Sequence, residues 1–192
     1  MDYACGTGAI TQALGPYVST IRGIDISEGM VEKYNEAARS SGLSSEQANA
    51  VVGDLLADQV PEHLAGPDFQ SFDVAVIGLG FHHFEDPALA LKRLSERLRP
   101  GEGVLVIIDF LPFEHKDEQE RKHREQNPGA DFPEMAHTIK HSGFTEPQMK
   151  QLYAEAGLQE FGFDVLPEPA VMELKTGTKE RTIFIAKGKR GA

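Results

Sequence analysis

Four short apolar segments alternate along the chain with longer amphipathic ones, which is the pattern of an α/β sheet with helices on both faces. The apolar segments are predicted strands at residues 20–26, 50–54, 72–78 and 103–109. The middle of the fourth segment is almost entirely β-branched or Leu, as expected of a parallel strand buried on both faces. We therefore predict that these strands form the core of the protein.

Three of the intervening segments have recognisable helix ends. The predicted helices run from Ser27 to Ser40, from Asp86 to Pro100 and from Thr145 to Gly157. Each starts with a capping side chain, and the third also has a Gln at the position that completes a capping box. These helices are expected to lie on the surface of the sheet.

The end of the chain differs from the rest, because residues 161–166 and 181–188 are apolar segments separated by a Pro-containing turn without a clear helix. Two strands joined without a crossover helix are most easily antiparallel, so a mixed sheet is expected. Residues 111–144 form the longest stretch without a predicted strand. This stretch is interpreted either as a solvated helix and loop or as a lid over an active site.

Composition narrows the class of protein. The 192 residues are 40% hydrophobic, enough for one sizeable core, so residues 1–192 are predicted to be a single domain. The formal net charge of -11 argues against binding to a nucleic acid backbone. The single cysteine, Cys5, fits a reducing compartment and predicts a cytoplasmic location. No apolar run reaches the roughly 18 residues that a membrane span needs.

The first chemical signal is the sequence DYACGTG at residues 2–8, a glycine turn that brings backbone N–H groups close to a nucleotide-like ligand. Asp25 ends the second strand, 17 residues after Gly8, near the spacing at which an acidic side chain binds ribose hydroxyls. Its alternative role is a helix cap or a surface carboxylate. Asp54 ends the third strand. There it is equally suited to accept a hydrogen bond from an adenine amine or to have a purely structural role.

The second signal is GLGFHHFEDP, from Gly78 to Pro87, at the point where the order of the sheet is expected to reverse and a crevice opens. His82 and His83 are the candidate catalytic residues, followed by Asp109 and His141. A metal site is not expected, because adjacent histidines on an extended segment point in opposite directions. The alternative is that one imidazole is packed and the other exposed.

Five segments together resemble the motifs of a known family in their order and approximate spacing. They are DYACGTG, GIDIS, VVGDLL, FDVAVIGLGFHHFEDP and LRPGEGVLVIIDF. The chain resembles class I S-adenosylmethionine-dependent methyltransferases, in particular the ubiquinone/menaquinone-biosynthesis-like small-molecule group, over residues 2–188. The resemblance implies a Rossmann-like, doubly wound, seven-stranded mixed sheet in the order 3-2-1-4-5-7-6, with strand 7 antiparallel.

The resemblance also implies which residues hold the cofactor S-adenosylmethionine. They are Asp2, Ala4, Gly6, Gly8, Asp25, Ile26, Met30, Asp54, Leu55, Gly78 and Leu79. Ala4 replaces a glycine that many members have in the turn. Family members also have a full first strand and one or two preceding helices, whereas here Met1 stands where that strand would be under way. The first strand is therefore expected to be shortened and the chain to be N-terminally truncated.

The function implied by the resemblance is methyl transfer to oxygen or carbon of a small, partly apolar molecule. A histidine, with a reference pKa of about 6.5, is suited to assist proton removal from a phenol of pKa about 10. The alternative is a non-catalytic cofactor-binding or partner-binding domain. An NAD-dependent oxidoreductase is disfavoured, because the turn that begins at Gly6 has Thr11 in place of the last glycine of GxGxxG.

Overall fold

A mixed β-sheet organises the protein, as seen in a computed structural model that describes residues 1–113, 139–174 and 177–192. In that part of the chain, the strands are β1 (Asp2–Tyr3), β2 (Ile21–Asp25), β3 (Ala48–Val52), β4 (Val74–Gly78), β5 (Val104–Phe110), β6 (Leu158–Val165), β7 (Ala170–Leu174), β8 (Gly177–Arg181) and β9 (Ile183–Arg190). Seven of these strands form one sheet in the order β3-β2-β1-β4-β5-β9-β6. The predicted order is confirmed, with β9 as the predicted strand 7.

Strand direction follows the same prediction. β1 to β5 pair in parallel with one another, while β9 pairs antiparallel with both β5 and β6. The parallel strands are buried, and Ile24, Ile77, Leu105 and Ile107 are completely or almost completely inaccessible to solvent. Because parallel strands all end at the same edge of a sheet, residues that follow β1 to β5 meet at one carboxyl edge.

The described helices are α1 (Ala9–Leu14), α2 (Glu28–Ser40), α3 (Pro87–Ser95) and α4 (Glu146–Glu155). The predicted caps of α2, α3 and α4 are present, including the complete Thr145–Gln148 capping box. The prediction that the helix starting at Asp86, which is α3, runs to Pro100 is wrong. α3 ends at Ser95, and Leu98 instead forms an isolated bridge with Phe72, which takes that part of the chain out of helical geometry.

The connection between β6 and β9 is the main departure from the predicted fold. In place of a simple Pro-containing turn, β7 and β8 pair antiparallel as a separate two-stranded sheet. β6 and β9 nevertheless pair antiparallel, as predicted. Since β9 starts opposite Phe110 at the end of β5, the β7–β8 hairpin joins the sheet at its carboxyl edge.

β1 is short, as predicted. It pairs with β2 through Asp2 and Tyr3 and with β4 through Asp2, whereas β2 and β4 each have five residues. The predicted lid at residues 111–144 lies mostly outside the described residues, which include only 111–113 and 139–144 of it. None of the helices in the described ranges has the length and hydrophobicity of a membrane span.

Candidate functional site

The loops that follow β1, β2 and β3 meet at the carboxyl edge of the sheet. The N–H of Gly6 donates to Oδ2 of Asp25 at 2.9 Å, and the N–H of Ser27 donates to Oδ1 at the same distance. The backbone carbonyl of Asp25 accepts from the N–H of Gly53 at 2.9 Å. The structure therefore brings together Gly6, Asp25 and the residue before Asp54, three positions that the sequence singled out separately.

Tyr3 connects β1 to the loop after β3, a contact that the sequence reasoning missed. Its hydroxyl donates to Oδ1 of Asp54 at 2.9 Å and accepts from the N–H of Leu55 at 3.2 Å. Burial, together with the charge of Asp54, raises the pKa of Tyr3 well above its ordinary value, so the hydroxyl stays protonated and keeps donating. The signal in the sequence was a tyrosine at a strand end, directly before the glycine turn.

Every second residue of the glycine turn has a positive φ, namely Ala4 at 54°, Gly6 at 51° and Gly8 at 86°. A Cβ at Gly8 would lie 2.9 Å from the ring of Tyr34, so this glycine permits close packing against α2. A Cβ at Gly6 would meet no atom within 4 Å. Gly6 thus borders open space, while its backbone N–H is already bonded to Asp25.

Apolar side chains stand exposed beside this open space. Ile26, directly after β2, is 73% exposed, and Leu79, directly after β4, is 42% exposed with a φ of 56°. Met30 is half-buried on the first turn of α2, whereas the side chain of Leu55 is buried in the core. Gly78 serves packing, because a Cβ there would collide with the side chain of Ile10.

Asp2 lies apart from this group. Its carboxylate is buried, and Oδ2 accepts from the hydroxyl of Thr11 on α1 at 2.8 Å. The Thr11 oxygen is in turn 2.7 Å from the hydroxyl of Tyr34. Among the described residues, Oδ1 of Asp2 has no hydrogen-bond partner, and burial raises the pKa of this carboxyl to about 6. Asp2 therefore holds α1 and α2 against β1.

A buried imidazole–carboxylate pair follows β4 and β5. Nδ1 of His82 lies 2.8 Å from Oδ1 of Asp109, and the backbone N–H of His82 donates to Oδ2 at 3.0 Å. Asp109 is inaccessible to solvent, and its Oδ1 also accepts from the N–H of Phe110 at 2.7 Å. A carboxylate at Nδ1 favours the imidazole tautomer with the proton on Nδ1, so Nε2 on the other side of the ring is the acceptor.

The two histidines lie side by side, contrary to the prediction of opposite directions. Residues Phe81–His83 form a single 3₁₀ turn in place of an extended segment, and the ring centroids of His82 and His83 are 4.1 Å apart. His141, the more distant candidate, lies behind them, because its backbone N–H donates to the carbonyl of His82 at 3.1 Å. Its Nε2 is 3.0 Å from the carbonyl of Phe84.

Chemically, this edge combines hydrogen-bond acceptors, exposed apolar surface and an oriented imidazole. The carboxylates of Asp25 and Asp54 suit hydroxyl and amine donors, and Ile26 and Leu79 suit a flat apolar group. Within residues 1–113, 139–174 and 177–192, no three His, Cys, Asp or Glu side chains are grouped closely enough to hold a metal ion.

Comparison with known proteins gives the family. The family model described as "Methyltransferase domain" matches residues 1–107. An uncharacterized methyltransferase of Schizosaccharomyces pombe is 38% identical over 111 residues, which cover 58% of this chain and 38% of that protein. The demethylmenaquinone methyltransferase of Staphylococcus aureus is 34% identical over 113 residues, which cover 57% of this chain and 42% of that protein. The chain thus matches about two fifths of the length of these relatives.

Solved structures agree on the fold. A SAM-dependent methyltransferase from Methanosarcina mazei superposes with a TM-score of 0.65 at 22% identity, covering 100% of this chain and 92% of that one. The matched family region contains the glycine turn, Asp25, Asp54, His82 and His83, and it ends inside β5. The same region contains β1 to β4 and the start of β5, whose parallel order β3-β2-β1-β4-β5 forms the carboxyl edge. The chain therefore belongs to the methyltransferase domain family.

Proposed function

We propose that this protein transfers a methyl group from S-adenosylmethionine to oxygen or carbon of a small, partly apolar molecule. The observation that carries the proposal is the meeting of Gly6, Asp25 and the Asp54 loop at one edge of the sheet, in a chain of the methyltransferase domain family. The structurally similar Methanosarcina mazei protein is a SAM-dependent methyltransferase, which supports this choice of cofactor.

The residues at this edge fit an adenosyl cofactor. Asp25 would accept from the ribose hydroxyls, since each of its oxygens receives one backbone N–H and retains a second acceptor site. Asp54 would accept from the adenine amine, and the exposed Ile26 with the half-buried Met30 would flank the ring. The open space at Gly6 admits the ligand to the backbone of the turn.

The remaining cofactor-site candidates act mainly through the backbone. Ala4 and Gly8 shape the turn, and Leu55 donates its N–H to the Tyr3 hydroxyl that also holds Asp54. Gly78, the last residue of β4, and Leu79, the next residue, would face the ligand through their backbone. Asp2 would act indirectly, by holding α1 through Thr11. The side chains of Asp25 and Asp54 would thus accept hydrogen bonds from the nucleoside, while the glycine turn leaves the space in which the ligand binds.

His82 is the group best suited to take a proton from the acceptor. When bound, S-adenosylmethionine supplies an activated methyl group, so the protein mainly aligns the acceptor and manages its proton. Asp109 binds Nδ1 of His82 and so fixes the ring with Nε2 on the side opposite the carboxylate. Because Nδ1 carries the proton in this arrangement, Nε2 is the atom that would act as the base. His83, whose ring is 4.1 Å from that of His82, would shape the same side of the acceptor site.

The acceptor is proposed to be a small molecule and not a nucleic acid. A net charge of -11 opposes the approach of a phosphate backbone, and the aromatic residues near His82 favour an apolar group. The single cysteine, which is buried, supports a cytoplasmic location as part of the same proposal.

Calorimetric titration with S-adenosylhomocysteine tests cofactor binding, and incubation with S-adenosylmethionine and a panel of phenols tests turnover. We expect saturable binding that Asp54→Asn weakens, because the amide has lost one acceptor oxygen. Asp73→Asn is the matched control, since Asp73 is an exposed carboxylate next to the start of β4, at the opposite edge of the sheet.

The outcomes separate the two candidate functions. Binding together with formation of S-adenosylhomocysteine from the phenols supports the proposal. Binding without turnover of any acceptor favours the non-catalytic cofactor-binding domain. Absence of binding to the wild-type protein overturns both the proposed cofactor and the proposed activity.

A further inference from the structure

A row of rings leads away from His82 along the carboxyl edge. The ring centroids of His82 and Phe110 are 5.3 Å apart, and those of Phe110 and Phe113 are 6.1 Å apart. Phe110 is buried, while His83 on one side of the row and Phe113 on the other are half-buried. The row therefore forms an aromatic wall that starts at the proposed base.

A cation lies at the far end of this wall. Cζ of Arg181, the last residue of β8, is 4.1 Å from the centroid of the Phe113 ring, as in a cation–π contact. The chain brings it there because β9 begins opposite Phe110, and the N–H of Leu111 donates to the carbonyl of Thr182 at 2.9 Å. The β7–β8 hairpin thus delivers Arg181 to the same edge as His82.

The surroundings of Arg181 are unusual for an acidic protein. The chain has 30 acidic and 19 basic residues, so an arginine readily finds a carboxylate partner. Yet in the described part of the chain no carboxylate forms an ion pair with Arg181, and its NH1 donates to the backbone carbonyl of Glu180. A half-buried guanidinium with unused donors is a site for carboxylate or another planar anion.

We propose that the acceptor is an aromatic acid, whose ring lies along the wall formed by Phe110 and Phe113 and whose anionic group pairs with Arg181. The inference rests on the proposed function, since it gives the substrate class of the same site. The nucleophilic atom would face His82, and the anionic group would be separated from it by at least one ring, because Phe110 and Phe113 lie between His82 and Arg181.

Binding of free acids against their methyl esters tests this pairing. The probes are 4-hydroxybenzoate, 4-hydroxycinnamate and 6-hydroxy-2-naphthoate with their methyl esters, titrated by calorimetry in saturating S-adenosylhomocysteine. Each pair differs in its anionic charge and keeps its aromatic ring. We expect at least one acid to bind about 10-fold tighter than its ester, with a preference that shrinks as salt concentration rises.

Variants locate the preference. Arg181→Gln should remove the difference between acid and ester, while Arg181→Lys should keep part of it, because the charge remains but the planar fork is lost. Arg99→Gln is the matched control and should keep the full preference, since Arg99 pairs with Asp73 at the amino edge of the sheet.

Titration of S-adenosylhomocysteine alone, on the same proteins, separates this inference from the proposed function. Loss of that binding in the wild-type protein overturns the proposed function. Normal binding of S-adenosylhomocysteine overturns only the present inference if no acid binds at millimolar concentration, if acids and esters bind equally, or if Arg181→Gln keeps the preference.

Discussion

Asp109 contacts His82 twice, through the backbone N–H at 3.0 Å and through Nδ1 at 2.8 Å. The two contacts fix both the position of the residue and the rotation of its ring. A carboxylate that holds Nδ1 in this way selects one neutral tautomer, as in the orienting carboxylates of other acid–base sites. Asp109 therefore fixes the His82 ring, and this effect is measurable without any acceptor.

The first prediction concerns this tautomer. In the wild-type protein at pH 8, ¹⁵N NMR should show His82 protonated on Nδ1. In Asp109→Asn, the amide group can present a donor to Nδ1, and the Nδ1–H signal should be lost in favour of Nε2–H. Asp86→Asn, at the cap of α3, is the control and should leave the tautomer unchanged. An unchanged spectrum in Asp109→Asn would contradict the assignment.

The second prediction concerns Asp25. Asp25→Ala removes the acceptor for the N–H groups of Gly6 and Ser27 as well as the proposed acceptor for ribose. Hydrogen bonds to a charged group contribute about 1.5 to 3 kcal/mol, so affinity for S-adenosylhomocysteine should fall roughly 10- to 100-fold. Asp25→Asn keeps one acceptor oxygen and should be intermediate. Calorimetry decides, and wild-type affinity in Asp25→Ala would refute the role.

The third prediction concerns Ala4, whose φ of 54° lies in the left-handed region. An L-residue there costs about 1 to 2 kcal/mol, whereas glycine adopts this conformation without that cost. Ala4→Gly should therefore raise the free energy of unfolding by roughly 0.5 to 1 kcal/mol, after the greater flexibility of the unfolded chain is subtracted. Urea denaturation measures the change.

The same substitution elsewhere is the control for Ala4→Gly. Ala37 lies inside α2, where glycine is unfavourable by about 1 kcal/mol, so Ala37→Gly should lower the free energy of unfolding. Opposite signs at the two positions would show that the backbone conformation determines the effect. A destabilised Ala4→Gly would contradict the strained turn.

The fourth prediction concerns the pH dependence caused by Asp2. Its pKa is about 6 in the folded protein, above the ordinary value of 3.8, because the carboxyl is buried. The folded state therefore binds the Asp2 proton more tightly than the unfolded chain does. The stabilisation that protonated Asp2 provides is complete below about pH 4 and is lost as the pH rises to about 6. Above pH 6 the charged carboxylate costs roughly 3 kcal/mol.

Asp2→Asn removes this titration. The variant should gain up to about 3 kcal/mol relative to the wild type between pH 4 and pH 8, as measured by urea denaturation at both values. The Met1 amino group, whose pKa burial lowers to about 5, acts in the opposite direction, and its titration also changes in the variant because it interacts with the charge of Asp2. A difference that does not change with pH would contradict the buried, charged Asp2.

What the sequence predicted well depends on local rules. The caps at Ser27 and Thr145 follow from side chains that satisfy the first backbone N–H groups of a helix, and both are present. The strand order came from the resemblance, and it also agrees. The side chains of Asp25 and Asp54 were located at strand ends, which the parallel topology brings to one edge.

What the sequence did not predict depends on contacts between distant segments. The hydrogen bond from Tyr3 to Asp54 joins residues 51 positions apart, and no periodicity signals it. The rings of His82 and His83 lie together in a 3₁₀ turn whose His82 N–H is bonded to Asp109, a residue 27 positions away. The β7–β8 hairpin was missed because two prolines, Pro167 and Pro169, stand where the chain leaves β6 and suggest only a turn.

The short central strand has a consequence for the whole sheet. β1 joins the β2–β3 pair to the β4–β5–β9–β6 group through Asp2 and Tyr3, so few backbone bonds cross the middle of the molecule. A nucleoside bound by Asp25 and Asp54 after β2 and β3, and by Leu79 after β4, would contact both halves of the sheet and link them. Binding of the nucleoside would then hold the two halves of the sheet together. Amide hydrogen exchange in β2 and in β4 would slow by similar factors as the ligand concentration rises.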